Sequence, residues 1–200
     1  MPDLLIRALA DSNEQVRINA INALHAHPPK GRETTLLEAF DADRTRDGFV
    51  RQQIPMILGR MAALSTIPDL RRRLGVERRQ DIKDGLIAGL AKMADQPARA
   101  EFGEMLREAR GERTAELMEY VRYLDEPWVI PLLVPVLQRR DIAVDLSTHR
   151  KTLRRRECDL AVDEVLRLSK ARFSFELDEI AQYTDAQIEE VLRYAQAQSK

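Results

Sequence analysis

The sequence predicts an all-α protein built from repeated helical hairpins. Its 200 residues are 44% hydrophobic and 32% charged, which is enough apolar material for a continuous core. Aromatic residues make up only 5%, and leucine and alanine, which favour helices, supply most of the apolar content. An apolar pattern of helical period also recurs along the chain, and such recurrence is typical of a repeat array.

The recurring pattern is clearest in three segments that align without gaps: 16–24, 50–58 and 82–90. In each of them, apolar or small residues occupy offsets 0, 4, 7 and 8, and a cation occupies offset 1. This is the stripe of a helix that lies against a neighbour. Fainter copies begin at Leu117 and Cys158, so the spacings are 34, 32, 35 and 41 residues. Arrays of paired helices have periods of roughly 30 to 47 residues.

A shorter apolar helix precedes each copy and can serve as its hairpin partner: Asp3 to Ala10, Glu33 to Phe40, Ile67 to Leu74, Ala98 to Ala109, and Trp128 to Leu137. Turn-forming residues separate the helices at 11–13, 28–31, 41–43, Gly75 and Gly111. The resulting repeats cover approximately residues 2–27, 33–64, 66–94, 98–125 and 127–169. A C-terminal capping helix follows within 173–198, opened by Thr184 or Asp185. We therefore expect one array over residues 1–200.

The first repeat resembles the HEAT repeat, close to the variant found in bilin-lyase-type proteins. The similarity rests on the segment 5–11 and on Val16, Arg17, Ala20 and the pair Ala23-Leu24. It is strongest over the first repeat and weaker beyond the second. The resemblance implies a right-handed α-α superhelix of the armadillo-like helical class, with about five hairpins. It also implies polar contacts between successive turns, by Asp11 with Arg17 and by Asp41 or Asp43 with Arg51.

Charge and composition restrict the cellular setting. The formal net charge of -1 gives no overall field that would attract DNA or acidic membranes. A single cysteine, Cys158, excludes an internal disulfide and fits a reducing compartment. No apolar run approaches the roughly 18 residues of a membrane span, and residues 1–7 lack a signal-peptide pattern. We expect a cytoplasmic protein.

Three motifs could indicate chemistry, and each has a stronger structural interpretation. His25 and His27 lack a third metal ligand at a suitable spacing. Cys158 occupies an apolar helix position, as an inert core thiol does. Gly85 and Gly89 follow no strand, so they favour close helix packing over phosphate binding. We predict no catalytic, cofactor or metal site and no enzymatic activity.

Charge is unevenly distributed near the carboxyl end. Residues 138–156 carry seven cations and two aspartates, whereas residues 157–200 carry ten acidic and five basic residues. The basic segment coincides with the enlarged 41-residue spacing, which indicates a loop inserted between the two helices of repeat five. Its candidate partner-binding residues are Arg139, Arg140, Arg150, Lys151, Arg154 and Arg155. Equally, these cations could neutralise the acidic helices beside them.

Three classes of function follow. The leading prediction is a non-catalytic scaffold that binds a protein partner on the concave face lined by the second helices, on the basic loop 139–156, or on both. Candidate residues on that face are Asn19, Asn22, Gln53, Met56, Tyr120 and Tyr123. The alternatives are nucleic-acid binding, as in the HEAT-like alkylpurine DNA glycosylases, and lyase-type or accessory chemistry, as in the bilin-lyase-type relatives. Neither alternative has residues to transfer onto this chain.

The N-terminal helix is the least finished part of the predicted array. Apolar residues surround most of its circumference, including Leu4, Leu5 and Leu9. Three interpretations remain open: the chain is a fragment of a longer array, this helix covers its apolar face with a partner or a second copy, or the array simply ends in an apolar helix.

Overall fold

The computed structural model describes residues 2–43, 48–145, 154–180 and 182–198. The described residues contain eleven α-helices, two 3-10 segments and one two-stranded sheet, so the prediction of a mostly helical protein is confirmed. The helices are α1 (Pro2–Ala8), α2 (Glu14–Ala26), α3 (Glu33–Ala42), α4 (Phe49–Arg60), α5 (Ile67–Val76), α6 (Gln80–Lys92), α7 (Gln96–Glu108), α8 (Glu112–Leu124), α9 (Val134–Leu137), α10 (Glu157–Leu168) and α11 (Asp185–Ala197). The strands are β1 (Ile142–Asp145) and β2 (Arg154–Arg156). None of the described helices is both long and apolar enough to cross a membrane.

The chain divides into two compact units, residues 1–102 and 103–200. In the first unit, α1 packs on α2, α3 on α4, and α5 on α6, as the predicted hairpins require. The second helices also contact one another in order, α2 with α4 and α4 with α6. Whether the two units form one continuous array stays a prediction.

The contact between α4 and α6 depends on two glycines. A Cβ atom added to Gly85 would lie 2.1 Å from the carbonyl oxygen of Gln52, and one added to Gly89 would lie 2.3 Å from that of Pro55. Only glycine allows the two backbones to approach this closely. The spacing of four residues places both glycines on the same side of α6. The interpretation of this motif as a close helix contact is therefore confirmed.

Side chains define the helix starts that the sequence predicts. Asn13 accepts a hydrogen bond from the backbone N–H of Gln15 at 2.9 Å and caps α2. Thr184 caps α11 in a reciprocal arrangement with Gln187, as predicted for the C-terminal helix. The buried stripe of α11 consists of Ile188, Val191 and Ala195.

The polar contacts around the turns agree with the HEAT resemblance at Asp11 and Arg17 and differ from it at Arg51. Arg17, only 7% exposed, donates to the backbone carbonyls of Asp11 and Ser12. Asp41 pairs with Arg73 of α5 at 2.5 Å. Arg51 pairs instead with Glu77, at the end of α5. These last two pairs link successive hairpins, because arginine side chains are long enough to reach past their own turn.

Two predicted element boundaries are wrong. Residues 127–133 form a 3-10 segment followed by the single turn of α9, in place of a helix from Trp128 to Leu137. Pro127, Pro131 and Pro135 lack the N–H groups that a continuous α-helix needs. Gly75 lies inside α5, not in a turn. The turn comes after Val76, where the Glu77 carboxylate accepts the N–H groups of residues 78 and 79.

In the second unit, α10 lies at the centre. It contacts α8, the 3-10 segment, α9, β2 and α11. The predicted inserted loop is a β-hairpin at its base, since β1 and β2 pair antiparallel with Ile142 opposite Arg156 and Asp145 opposite Arg154. Residues 146–153, including Arg150 and Lys151, lie outside the described residues.

The N-terminal helix is less exposed than its sequence suggests. Leu9 is 2% exposed and Ile6 is 5% exposed, because α1 packs on α2 and α3. Leu4, at 67% exposed, is its remaining large apolar side chain on the surface.

Candidate functional site

Neutral polar side chains cover the outer face of α2 and the adjoining face of α4. Asn19 and Asn22 are exposed, as predicted, and lie one turn apart on α2. Gln15 donates to Asn19 from one turn earlier, at 3.0 Å. Gln53 of α4 is half-buried. We call this group of five residues, Gln15, Asn19, Asn22, His25 and Gln53, the amide face.

His25 connects the two helices of the amide face. Its Nε2 lies 2.9 Å from the side-chain oxygen of Gln53, which can only accept, so Nε2 carries the proton. Burial lowers the pKa of His25, the Gln53 hydrogen bond acts in the opposite sense, and the nearby cation Arg60 lowers the pKa further. The imidazole is therefore neutral at physiological pH, and none of the five residues of the amide face carries a charge. His25 and His27 are not part of a metal site in the described chain, where no cluster of three or more potential ligands occurs.

Three predicted members of the second-helix surface are buried. Met56 is 8% exposed, Tyr120 7% and Tyr123 6%. Met56 lies in the part of α4 that contacts neighbouring helices on several sides, so almost the whole of this stretch is covered. Tyr120 and Tyr123 flank the apolar stripe of α8 and are covered with it. These residues have little surface with which to contact a partner.

In the basic segment, the Arg139 side chain is hydrogen-bonded to groups within the protein. Its guanidinium donates to the backbone carbonyls of Leu106, Arg107 and Ala109 and pairs with the buried carboxylate of Glu157. The last carbonyls of a helix have no partner within the helix. Arg139 therefore completes the carboxyl end of α7, where a cation is also favoured by the helix dipole.

Arg155 is also internal, at 3% exposed. It donates to Asp163 of α10 at 2.7 Å and to the backbone carbonyl of Glu179. Arg140 and Arg154 remain partly exposed, yet each has an acidic neighbour, Asp185 for Arg140 and Asp145 for Arg154. The contacts match the alternative in which these cations neutralise nearby acidic residues.

A buried carboxylate cluster on α10 is the feature that the site prediction missed. Its members are Glu157, Asp159, Asp163 and Glu164, each 2% exposed or less. Buried carboxylates are costly unless they are paired, and each one here has an arginine partner. Glu157 pairs with Arg139, Asp159 with Arg156, and Asp163 with Arg155. Glu164 pairs with both Arg122 and Arg167.

The only sequence signal for this cluster is the change of charge sign at residue 157. Arg155 and Arg156 lie eight and three positions, respectively, before their acidic partners on α10. By contrast, Glu164 pairs with Arg122, 42 positions away, which no local pattern reveals.

Beside this cluster lies a cavity of about 270 Å³. Met118 and Arg122 of α8, Val144 of β1, and Leu160 and Asp163 of α10 are among its walls. Burial raises the pKa of Asp163 to about 6, more than its hydrogen bonds from Tyr183 and Arg155 lower it. Asp163 thus titrates close to neutral pH at the wall of a cavity.

No family model matches the chain, and no curated protein shows significant similarity to it.

Proposed function

We propose that this chain is a non-catalytic scaffold of stacked helical hairpins that binds a segment of a protein partner on the amide face. The sequential contacts of α2, α4 and α6 support the HEAT-like solenoid arrangement for the first unit, because successive repeats of a solenoid contact only their neighbours.

The amide face carries the proposal. A side-chain amide has one acceptor and two donor positions, so it can pair with both the C=O and the N–H of a peptide. The exposed side chain of Asn22 has no hydrogen-bond partner among the described residues, and Asn19 uses only its oxygen, toward Gln15. The five residues of the face carry no charge, so the face offers hydrogen bonds to an extended polypeptide but lacks the several cations of its own that a nucleic acid would require.

The basic segment is not part of the proposed surface. Arg139 and Arg155 have internal partners, and Arg140 and Arg154 have acidic neighbours. The prediction that these cations form a partner-binding edge fails for Arg139 and Arg155, whose guanidinium groups have internal partners, while Arg140 and Arg154 stay on the surface. Arg150 and Lys151 lie outside the described residues.

Selection from a library of unstructured peptides tests the proposal. Peptides enriched on the wild-type protein are measured again on an Asn19→Ala, Asn22→Ala variant. Two lost hydrogen bonds are worth roughly 1 to 3 kcal/mol together, so we expect binding to weaken roughly 5- to 150-fold. The melting temperature should change little, because both side chains are exposed.

Gln196→Ala is the matched control, since Gln196 is an exposed amide on α11. It should leave peptide binding unchanged. Equal binding by the wild type and the double variant would reject the amide face. Salt-dependent binding of duplex DNA by the wild type would favour the nucleic-acid alternative.

A further inference from the structure

The linker between α10 and α11 crosses the side of α10 that carries Asp163. We call its described residues, 169–180 and 182–184, the strap. One aromatic contact joins the strap to α11, where Phe173 packs edge-on against Tyr194, and a second lies within the strap, where Phe175 packs against Tyr183, both at 5.4 Å between ring centroids. The strap is thus folded onto the unit although it contains no helix or strand.

Asp163 is the point where the strap, β2 and α10 meet. One carboxylate oxygen accepts the hydroxyl of Tyr183 at 2.8 Å, and the other accepts Arg155 at 2.7 Å. Each partner also holds a further point of the strap. The Tyr183 hydroxyl accepts the N–H of Asp178 at 2.9 Å, and Arg155 donates to the carbonyl of Glu179.

The carboxyl end of the strap has separate attachments. The N–H of Tyr183 donates to Asp159 at 3.0 Å, and its carbonyl accepts from Arg156 at 2.6 Å. Gln182 donates to the carbonyl of Arg154 at 2.8 Å. These bonds do not involve Asp163, so a change at Asp163 acts mainly on the strap residues around 178–180.

Those residues border the cavity described above. Glu179 of the strap lines it, together with Asp163 and with Glu119 and Arg122 of α8. Lifting residues 178–180 would therefore widen the cavity and expose Asp163 to water.

The charges around Asp163 come from several elements. Arg155 of β2 favours its ionised form, and Glu164 on α10 opposes it. Glu119, Arg122 and Glu179 lie around the same cavity. The 3-10 segment, α9 and α11 also pack on α10, and their buried residues are apolar, such as Val129, Val136 and Val191. The largest effect is burial, which penalises the carboxylate.

We propose that the strap is a pH-dependent closure over this cavity, held at Asp163 and closed more tightly in mild acid than at neutral pH. The proposal is independent of the amide face, which lies in the other unit.

The sign follows from proton linkage. In the closed state the pKa of Asp163 is about 6, because burial outweighs its hydrogen bonds. Opening admits water to the carboxyl, so its pKa falls toward the ordinary value of about 3.9. The closed state therefore binds the proton more tightly, and acid shifts the equilibrium toward closure. Between pH 8 and pH 5 the closed-to-open ratio should rise roughly tenfold. The gain stops below about pH 4, where the open state is protonated as well.

Hydrogen exchange of the full chain measures this ratio. Protection factors of the amides of residues 178–180 are determined at pH 5, 6, 7 and 8, with the intrinsic pH dependence of exchange removed. We expect protection to be nearly constant above pH 7 and to begin rising near pH 6, for a roughly tenfold increase from pH 8 to pH 5. Amides of α8 serve as the internal reference. Protection that is constant, or that falls in acid, overturns the proposal.

Asp163→Asn replaces the carboxyl with a neutral group of the same shape and should flatten the pH profile. Asp141→Asn is the matched control, because Asp141 is exposed beside β1, and it should keep the wild-type profile. A wild-type profile in Asp163→Asn would assign the pH dependence to another group and reject the proposal.

Tyr183→Phe provides a second test if Asp163→Asn does not fold. It removes the hydroxyl while keeping the ring that packs on Phe175. The Tyr183 hydrogen bond lowers the pKa of Asp163, so the rise in protection should begin at a higher pH than in the wild type. A strap held only by ring packing would keep the wild-type onset, and that result would contradict the proposal.

Discussion

The α4–α6 contact of the first unit and the surroundings of α10 in the second unit are packed by different means. Between α4 and α6, two glycines bring backbones together, and the flanking residues Ile54, Ile57 and Leu86 are fully buried and apolar. Around α10, four carboxylates are buried with their arginine partners. One contact depends on shape, and the other depends on charge pairing.

The difference affects how each region responds to change. A close backbone contact tolerates no added atoms, because both sides are rigid and interiors are densely packed. A buried ion pair tolerates changes of shape better but not the loss of one partner, since the remaining charge is then unpaired. Substitutions of each kind can therefore test the comparison.

The largest effect should come from Gly85→Val. The added side chain begins 2.1 Å from the carbonyl oxygen of Gln52, so α6 must move away from α4. We expect a loss of at least about 4 kcal/mol in the free energy of unfolding, at the upper end for single substitutions. Urea denaturation measures it.

Gly75→Ala is the control for that substitution. Gly75 also lies in a helix, but no atom comes within 4 Å of its added Cβ. Because alanine favours helices, this variant should be unchanged or more stable by up to about 1 kcal/mol. If Gly85→Val were equally harmless, the contact between α4 and α6 would not depend on close backbone approach.

Glu157→Gln should have the next largest effect, of about 3 kcal/mol. Glu157 is fully buried and accepts from Arg139 at 3.3 Å and from the N–H of Gly111 at 2.5 Å. Glutamine keeps the shape and removes the charge, which leaves Arg139, itself largely buried, without its counter-ion. The free energy of unfolding at pH 7 measures the loss.

An exposed pair gives the contrast. Glu104 pairs with Arg107 three residues later, and both side chains are more than half exposed. Glu104→Gln should change stability by no more than about 0.5 kcal/mol.

A double variant tests whether the buried pair is coupled. The variant that carries both Glu157→Gln and Arg139→Met should lose at least about 1 kcal/mol less stability than the sum of the losses of the two single variants. Full additivity would show that the pair is not coupled.

Sequence reasoning succeeds where the cause of a structure lies within one turn of helix. The stripes of α2, α4 and α6, the cap residue Thr184, and the glycine pair of α6 are of this kind, because each depends on residues a few positions apart.

It fails where a residue's environment is set by distant parts of the chain. Met56 and Arg155 appear suitable for a surface, but the packing of other elements buries both. The partner of Arg139 is 18 positions away, across the β-hairpin. The helix predicted from Trp128 fails for a local reason instead: its apolar spacing is helical, but Pro131 and Pro135 withdraw N–H groups that the helix needs. In that segment, backbone chemistry overrides the apolar pattern.

The smallest effects should be equal in the two units, because helix caps act locally. Asn13→Ala removes the acceptor for the N–H of Gln15 in the first unit, and Thr184→Ala removes the acceptor for the N–H of Gln187 in the second. Each should lower the free energy of unfolding by about 1 kcal/mol. Glycine leaves the backbone free to adopt the cap conformation and to bind water, so Asn13→Gly should lose only a few tenths of that amount. The reciprocal bond from Gln187 to the Thr184 N–H adds one interaction that Asn13 lacks, so Gln187→Ala should account for any excess at Thr184. Thr184→Ala can also be measured in a chain that already carries Gln187→Ala. If its loss in free energy of unfolding is still twice that of Asn13→Ala, the strap, which ends at Thr184, depends on the cap. The difference between the units would then extend from their packing to their helix ends.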